Sequence, residues 1–181
     1  AKKDIKYKHW INLSRTLTSL NGYKGLISWS GTAFEYTMPN LIMEIPEGSL
    51  IDEACKFARR CQIEYANKNN VPWGISESAY SLKDLQGNYQ YKAFGIPMLG
   101  LKRGLEEELV ISPYATILFL EYDVSQVVEN LKEIEKYNMR SKYGFYDALD
   151  FTRERINVRK KYEPVKTYMA HHQGLILNTI N

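Results

Sequence analysis

Residues 70–100, "NVPWGISESAYSLKDLQGNYQYKAFGIPMLG", constrain this chain more than any other stretch, because they show neither a helical nor a strand period. Gly, Pro and Asn punctuate them throughout. A connection of this length inside a compact domain is either functional or disordered. Its aromatics, Trp73, Tyr80, Tyr89, Tyr91 and Phe94, argue against disorder. Regular structure must therefore come from the flanking segments, and those read as helices.

The clearest helix follows "IPEG", with Ser49 as cap and Asp52 as its answering partner in a capping box. Ile51, Ala54, Ala58, Cys61 and Tyr65 then mark one apolar face, and Asp52, Lys56, Arg59 and Arg60 the wet one. "SPYATILFLEY" announces a second, buried helix, capped by Ser112 with Pro113 at its first position. A third starts at Asp123, with Gln126 answering it. A last helix from Pro164 places Val165, Tyr168, Met169, His172, Leu175 and Ile176 on one stripe. A further helix over Gly31–Met43 is to be shortened or kinked by Pro39. No run shows sustained period-two alternation. The expected fold is all-α, in one domain over residues 1–181, with long irregular connections.

Apolar residues at 44% and charged residues at 25% describe an ordinary globular chain. A net charge of +3, from 24 Lys and Arg against 21 Asp and Glu, is too small to imply a nucleic-acid partner. The basic stretch "RERINVRKKYEPVK" (153–166) contains two glutamates and reads as a solvated connection. Cys55 and Cys61 share a helix, roughly 9 Å apart along it and about 120° around it, so they cannot bridge. With no Cys/His metal spacing, a reducing compartment is favoured. No apolar run reaches the ~18 residues of a spanning helix, and the N-terminal "AKKDIKYKHW" has no signal-peptide core.

Aromatics reach 13%, with 14 Tyr, 6 Phe and 3 Trp, and many stand beside Gly, Asn, Gln or Ser. A sugar ring offers apolar C–H faces and hydroxyls together, so interleaved aromatic and polar side chains suit it. "SWSGTAFEY", "PWGISESAY", "NYQY" and "YMAHHQG" have this character. Glu77, between Ser76 and Ser78, fits three local roles: a desolvated acid, an ionised base or nucleophile, or a carboxylate bonding backbone amides. Glu35 is a second candidate, with a structural hydrogen bond an equal reading. His171 and His172 point about 100° apart on a helix and do not ligate one metal together. Asp147 and Asp150, three apart, are expected to form a small polar cluster. "GLKRGLEEEL" lacks the GK[ST] ending of a phosphate loop.

"SWSGTAFEYTMP", "RRCQIEYANKNNVPWGISESAY", "YQYKAFGIPMLGLKRGL", "ISPYATIL", "KYGFYDALDFT" and "YMAHHQG" occur in this order from about His9 to the end. In these six blocks the chain resembles the glucoamylase-like domain of cyclic β-1,2-glucan synthases, a family that includes β-1,2-glucan hydrolases. The resemblance implies an (α/α)6 toroid. About six helices fit this sequence where a toroid needs twelve, at about 11 residues each, so the chain is expected to be the C-terminal portion of that domain. It implies that Glu77 is one of two catalytic carboxylates, the other lying upstream of residue 1. It also implies that Trp29, Phe34, Glu35, Trp73, Tyr91, Tyr168, His171, His172 and Gln173 bind substrate. Asp147 stands where the family has Glu, and Met98 where it has Gly. The implied activity is glycosyl transfer on β-1,2-glucan, with hydrolysis, or glycan binding without turnover, as the rival readings. No metal or organic cofactor is required. The expected partners are the glucan and the rest of the domain, or a second copy meeting an exposed apolar break; nucleic acid is not among them. The implied location is the cytoplasmic side of a membrane-anchored protein.

Overall fold

The computed structural model describes residues 5–181. Residues 1–4, the head of the stretch that lacks a signal-peptide core, lie outside the described residues. Among the described residues five α-helices alternate with nine short strands in four antiparallel sheets. This mixed architecture corrects the all-α expectation, and with it the reading of the chain as part of a purely helical toroid.

The first sheet is a hairpin of β1 (Leu17–Leu20) and β2 (Tyr23–Leu26), in which Leu20 pairs with Tyr23. Asn21 and Gly22 turn it with φ of 50° and 84°. Two successive positive φ values define the tight turn whose twist matches the strands, and Asn-Gly is its preferred pair. Next come α1 (Ala33–Thr37) and a 3₁₀ turn, Met38–Leu41. Pro39 lies in that turn and ends the longer helix expected there, since it has no N–H to extend the ladder.

The long helix α2 spans Leu50–Asn69. Ser49 Oγ accepts from Asp52 N at 3.3 Å, as a cap should. The Asp52 carboxylate reaches Gly48 N at 2.6 Å, one residue before the cap. Ala54, Cys55, Ala58, Cys61 and Gln62 are buried, while Ile51 is 38% exposed. The inner face is therefore rotated from the apolar stripe, and Asp52, expected on the wet side, is buried. Both cysteines are free, and burial pushes the Cys55 thiol up to about 11 and that of Cys61 to about 12.

The segment after α2, expected as irregular, folds into the hairpin β3 (Ser78–Lys83) and β4 (Tyr89–Lys92). The short β5 (Val110–Ile111) leads into α3 (Pro113–Ile117), which is fully buried but five residues long. Ser112 does not cap it; its hydroxyl donates to the carbonyl of Asp147. Helix α4 (Val124–Glu135) starts where Asp123 accepts from Gln126 N at 3.0 Å, and buries Val127, Asn130 and Ile134. Then follow the β6 (Arg140–Ser141) and β7 (Gly144–Phe145) hairpin, β8 (Ala148–Asp150), and β9 (Glu163–Val165). Strand β8 lies between β5 and β9.

Pro164, expected to open the last helix, sits instead in β9 opposite Leu149. That strand is at the sheet edge, where a residue without an N–H breaks no ladder. The last helix, α5, runs over Ala170–Ile180. Phe57, Phe94, Ile96, Phe119, Ile134 and Leu149 belong to one buried cluster, in which Phe57 of α2 packs over Gly25 of β2. Among the described residues no helix is long and apolar enough to cross a membrane.

Candidate functional site

Glu77 sits at the mouth of the β3–β4 hairpin, at the end of a segment, residues 73–76, that belongs to no helix or strand. Buried peptide groups outside a ladder need partners from elsewhere, and here side-chain amides supply them. Gln62 of α2 donates to Ile75 O at 2.8 Å and accepts from Ile75 N at 2.7 Å. Asn130 of α4 treats Trp73 the same way, accepting from its N–H at 3.0 Å and donating to its carbonyl at 2.7 Å. Thr116 Oγ1 adds a bond to Trp73 O at 2.8 Å, and Ser112 N one to Gly74 O at 2.8 Å. Gly74, between the two clamps, has φ of 127°, and a Cβ there would stand 2.5 Å from Thr116 Oγ1.

The Glu77 carboxylate is partly exposed, and its two oxygens differ. Phe34 N donates to Ser76 Oγ at 3.1 Å, which directs the serine's own proton to Glu77 Oε2. Tyr114 OH donates to Glu77 O at 2.9 Å and lies 3.4 Å from Oε2. Burial, followed by the Glu77 charge, raises the Tyr114 phenol well above its ordinary value, so it stays a protonated donor. Among the described residues no group donates to Oε1. One oxygen is tethered and the other is open.

Beside it lie His171 and His172 of α5, Tyr91 of β4, Tyr114 of α3 and Asp147 of the connection before β8. His172, buried in α5, stacks on Tyr114 with ring centroids 3.7 Å apart and planes 14° from parallel. Its Nδ1 is 2.6 Å from Asp147 Oδ1. The Tyr91 hydroxyl of β4 lies 3.2 Å from Nε2 of both His172 and His171. Tyr91 is 43% exposed. Burial, then the charges of Glu77 and Asp147, push its phenol pKa up. The His171 pKa is lowered, chiefly by burial, against the opposing pull of Asp147 and Glu77.

The structure thus brings together Glu77, Tyr91, His171 and His172 of the expected residues. Phe34 is tied to this set by its backbone N–H, which donates to Ser76 Oγ. Glu35 is a structural group: its oxygens accept from Ser28 Oγ at 2.8 Å, Thr32 N at 3.0 Å and Ser30 N at 3.1 Å, clasping the loop before α1. Trp73 is buried against Phe119, with centroids 6.1 Å apart, and offers no face to a ligand. Trp29 stands 66% exposed on the loop before α1. Tyr168 forms a separate aromatic group with Tyr146 and Tyr143, at 5.5 and 6.0 Å, and bonds Ser141. Gln173 is half-buried on α5.

Ser76 contacts Glu77 as its place in the sequence suggests, while Tyr114 and Asp147 are site groups that the sequence does not announce. Asp147 and Asp150 do not form the expected mutual cluster. Asp147 accepts from Ala79 N at 2.8 Å and Asp150 from Ser81 N at 3.0 Å, so each grips β3 separately. Arg155, read as part of a solvated basic stretch, is folded in against Asp150, Glu108 and the ring of Tyr80.

Comparison with known proteins places these features in context. The family described as "Putative glucoamylase" matches residues 2–181. The cyclic beta-(1,2)-glucan synthase NdvB of Rhizobium meliloti is 39% identical over 175 residues, which is 97% of this chain and 6% of that protein. The endo-beta-1,2-glucanase of Chitinophaga pinensis, solved with sophorotriose and glucose, superposes with a TM-score of 0.62 at 20% identity, covering 92% of this chain and 40% of that one. A putative glucoamylase from Bacteroides uniformis gives 0.62 at 20% identity, covering 93% and 40%. Both likenesses are of fold, and the chain spans less than half of each of these proteins.

Proposed function

The chain belongs to the family described as "Putative glucoamylase", and on that premise we propose that it is part of a carbohydrate-active domain that transfers glycosyl units on β-1,2-glucan, as in a cyclic β-1,2-glucan synthase. The observation that carries this reading is the state of Glu77: a carboxylate with one oxygen tethered by Ser76 and the other open, near enough to Tyr91 and His171 for its charge to act on both. The 39% identity to a cyclic beta-(1,2)-glucan synthase supplies the substrate.

Glycosyl transfer needs two carboxyl groups flanking the scissile bond. We assign one to Glu77. Asp147 is committed to Ala79 and His172 and is buried, so it is not free to be the second. The family resemblance implies that the second carboxyl group comes from another part of a longer protein, and in this reading residues 1–181 on their own lack turnover. In this role the open oxygen of Glu77 meets the sugar, while Ser76 keeps the carboxylate from rotating. Tyr91 and His171 face the hydroxyls. The domain faces the cytoplasm in this reading, a placement that rests on the family resemblance.

The test is to incubate the full-length protein and its Glu77→Gln variant with linear β-1,2-glucan and sort products into cyclic, lengthened and shortened chains. Cyclic or lengthened products from the wild type and none from the variant are expected. Shortened chains alone would make the protein a hydrolase, and full activity in the variant would remove Glu77 from the reaction.

A further inference from the structure

His172 is 1% exposed and Asp147 4%, so neither touches a sugar directly. Their 2.6 Å bond nevertheless ends on the half-exposed Tyr91, through His172 Nε2 at 3.2 Å. We propose that Asp147 and His172 form a buried positioning pair that sets the direction of the Tyr91 hydroxyl and so makes Tyr91 a hydrogen-bond acceptor for a sugar hydroxyl. This rests on the glucan reading above and extends it to the residues that tune the site.

The direction follows from counting protons. A carboxylate only accepts, so Asp147 leaves the Nδ1 of His172 as donor. In the neutral ring Nε2 is then a lone pair, and the hydroxyl proton of Tyr91 must point at it. Tyr91 has one such proton, so toward His171 and toward the open side its oxygen only accepts. His171 Nε2, at 3.2 Å from the same oxygen, takes the donor role. The stack of His172 on Tyr114 fixes the ring plane, which keeps the Nδ1–Nε2 line aimed between Asp147 and Tyr91.

Asp147→Asn should reverse this wiring without moving atoms. Its second oxygen accepts from Ala79 N at 2.8 Å, so the new amide must turn its carbonyl there and its NH₂ toward His172 Nδ1. Nδ1 then accepts, the ring proton moves to Nε2, and Tyr91 O accepts from it. The Tyr91 proton turns outward, and the acceptor offered to the sugar becomes a donor.

The test uses steady-state kinetics of the full-length protein on linear β-1,2-glucan. Asp147→Asn and Tyr91→Phe should each raise KM about 5- to 10-fold, the effect of one hydrogen bond, with kcat within about twofold. The double variant should be no worse than either single one, because both changes remove the same contact. His172→Phe keeps the stack on Tyr114 and removes the acceptor, and it should match them; it serves if Asp147→Asn does not fold. Unchanged KM in these variants, a fall in kcat alone, or additive losses in the double variant would overturn the pair. A wild-type protein with no activity on the glucan would overturn the functional reading itself.

Discussion

Replacing Gln62 tests the clamp that delivers Glu77 to its place. Gln62 is fully buried, and its amide occupies both the N–H and the carbonyl of Ile75, two residues before Glu77. In Gln62→Ala the Ile75 carbonyl keeps a partner, since Ala33 N also donates to it at 3.0 Å. The Ile75 N–H keeps none. An orphaned buried donor costs about 1–3 kcal/mol, and the lost methylene about 1 kcal/mol more. The expected destabilisation is about 2–4 kcal/mol. Gln62→Met separates the two contributions, because it fills the space and still leaves the donor unpaired; it should lose about 1–3 kcal/mol. Urea unfolding followed by the fluorescence of buried Trp73 reads both changes. With a slope of about 2 kcal/mol/M the alanine midpoint should fall by about 1–2 M. If Gln62→Met unfolds at the wild-type midpoint, the amide is filler and something else orders the segment.

Gly74→Ala places a side chain at φ of 127° and 2.5 Å from Thr116 Oγ1; backbone strain and overpacking together predict a loss of about 2–6 kcal/mol in the same unfolding assay. Asp150 is buried, which alone would raise its pKa, but bonds from Arg155, Ser81 and Thr152 win and hold it below the ordinary carboxylate value. A depressed folded-state pKa contributes stability above the unfolded value, near 3.9, that is lost as pH falls through the folded one. The stability gap between wild type and Asp150→Asn should therefore be constant from pH 7 to 5 and close below pH 4, as read by unfolding across that range; a gap that widens in acid would contradict it.

Where a local signal was strong, the fold was legible. Asp123 and Gln126 start α4 as their spacing requires, and Pro39 stops α1 early. Asn21-Gly22, flanked by Leu20 and Tyr23, is an equally strong hairpin signal, and it contradicts a helical reading of the whole chain. The other sheets leave less trace. Strands β5 through β9 have two or three residues each, too few to show a period of two. In β3–β4 the register shifts between Tyr80 and Lys83, which breaks the alternation that would have identified it. The site was half legible for the same kind of reason. Glu77, Tyr91, His171 and His172 lie in stretches whose composition suits a sugar. Tyr114 reads as helix core, and Asp147 reaches His172 only because the connection before β8 packs on α5, which no spacing along the chain encodes.

The clamps on residues 73–75 also set a clock. The peptide protons of Trp73 and Ile75 are covered by side chains rooted in α2 and α4, so they exchange with water only when Asn130 or Gln62 lets go. Local openings draw their free energy from whatever must separate. A stretch that carries no helix or strand of its own is thus held by two buried amides, and the backbone leading to Glu77 opens only as often as they release it.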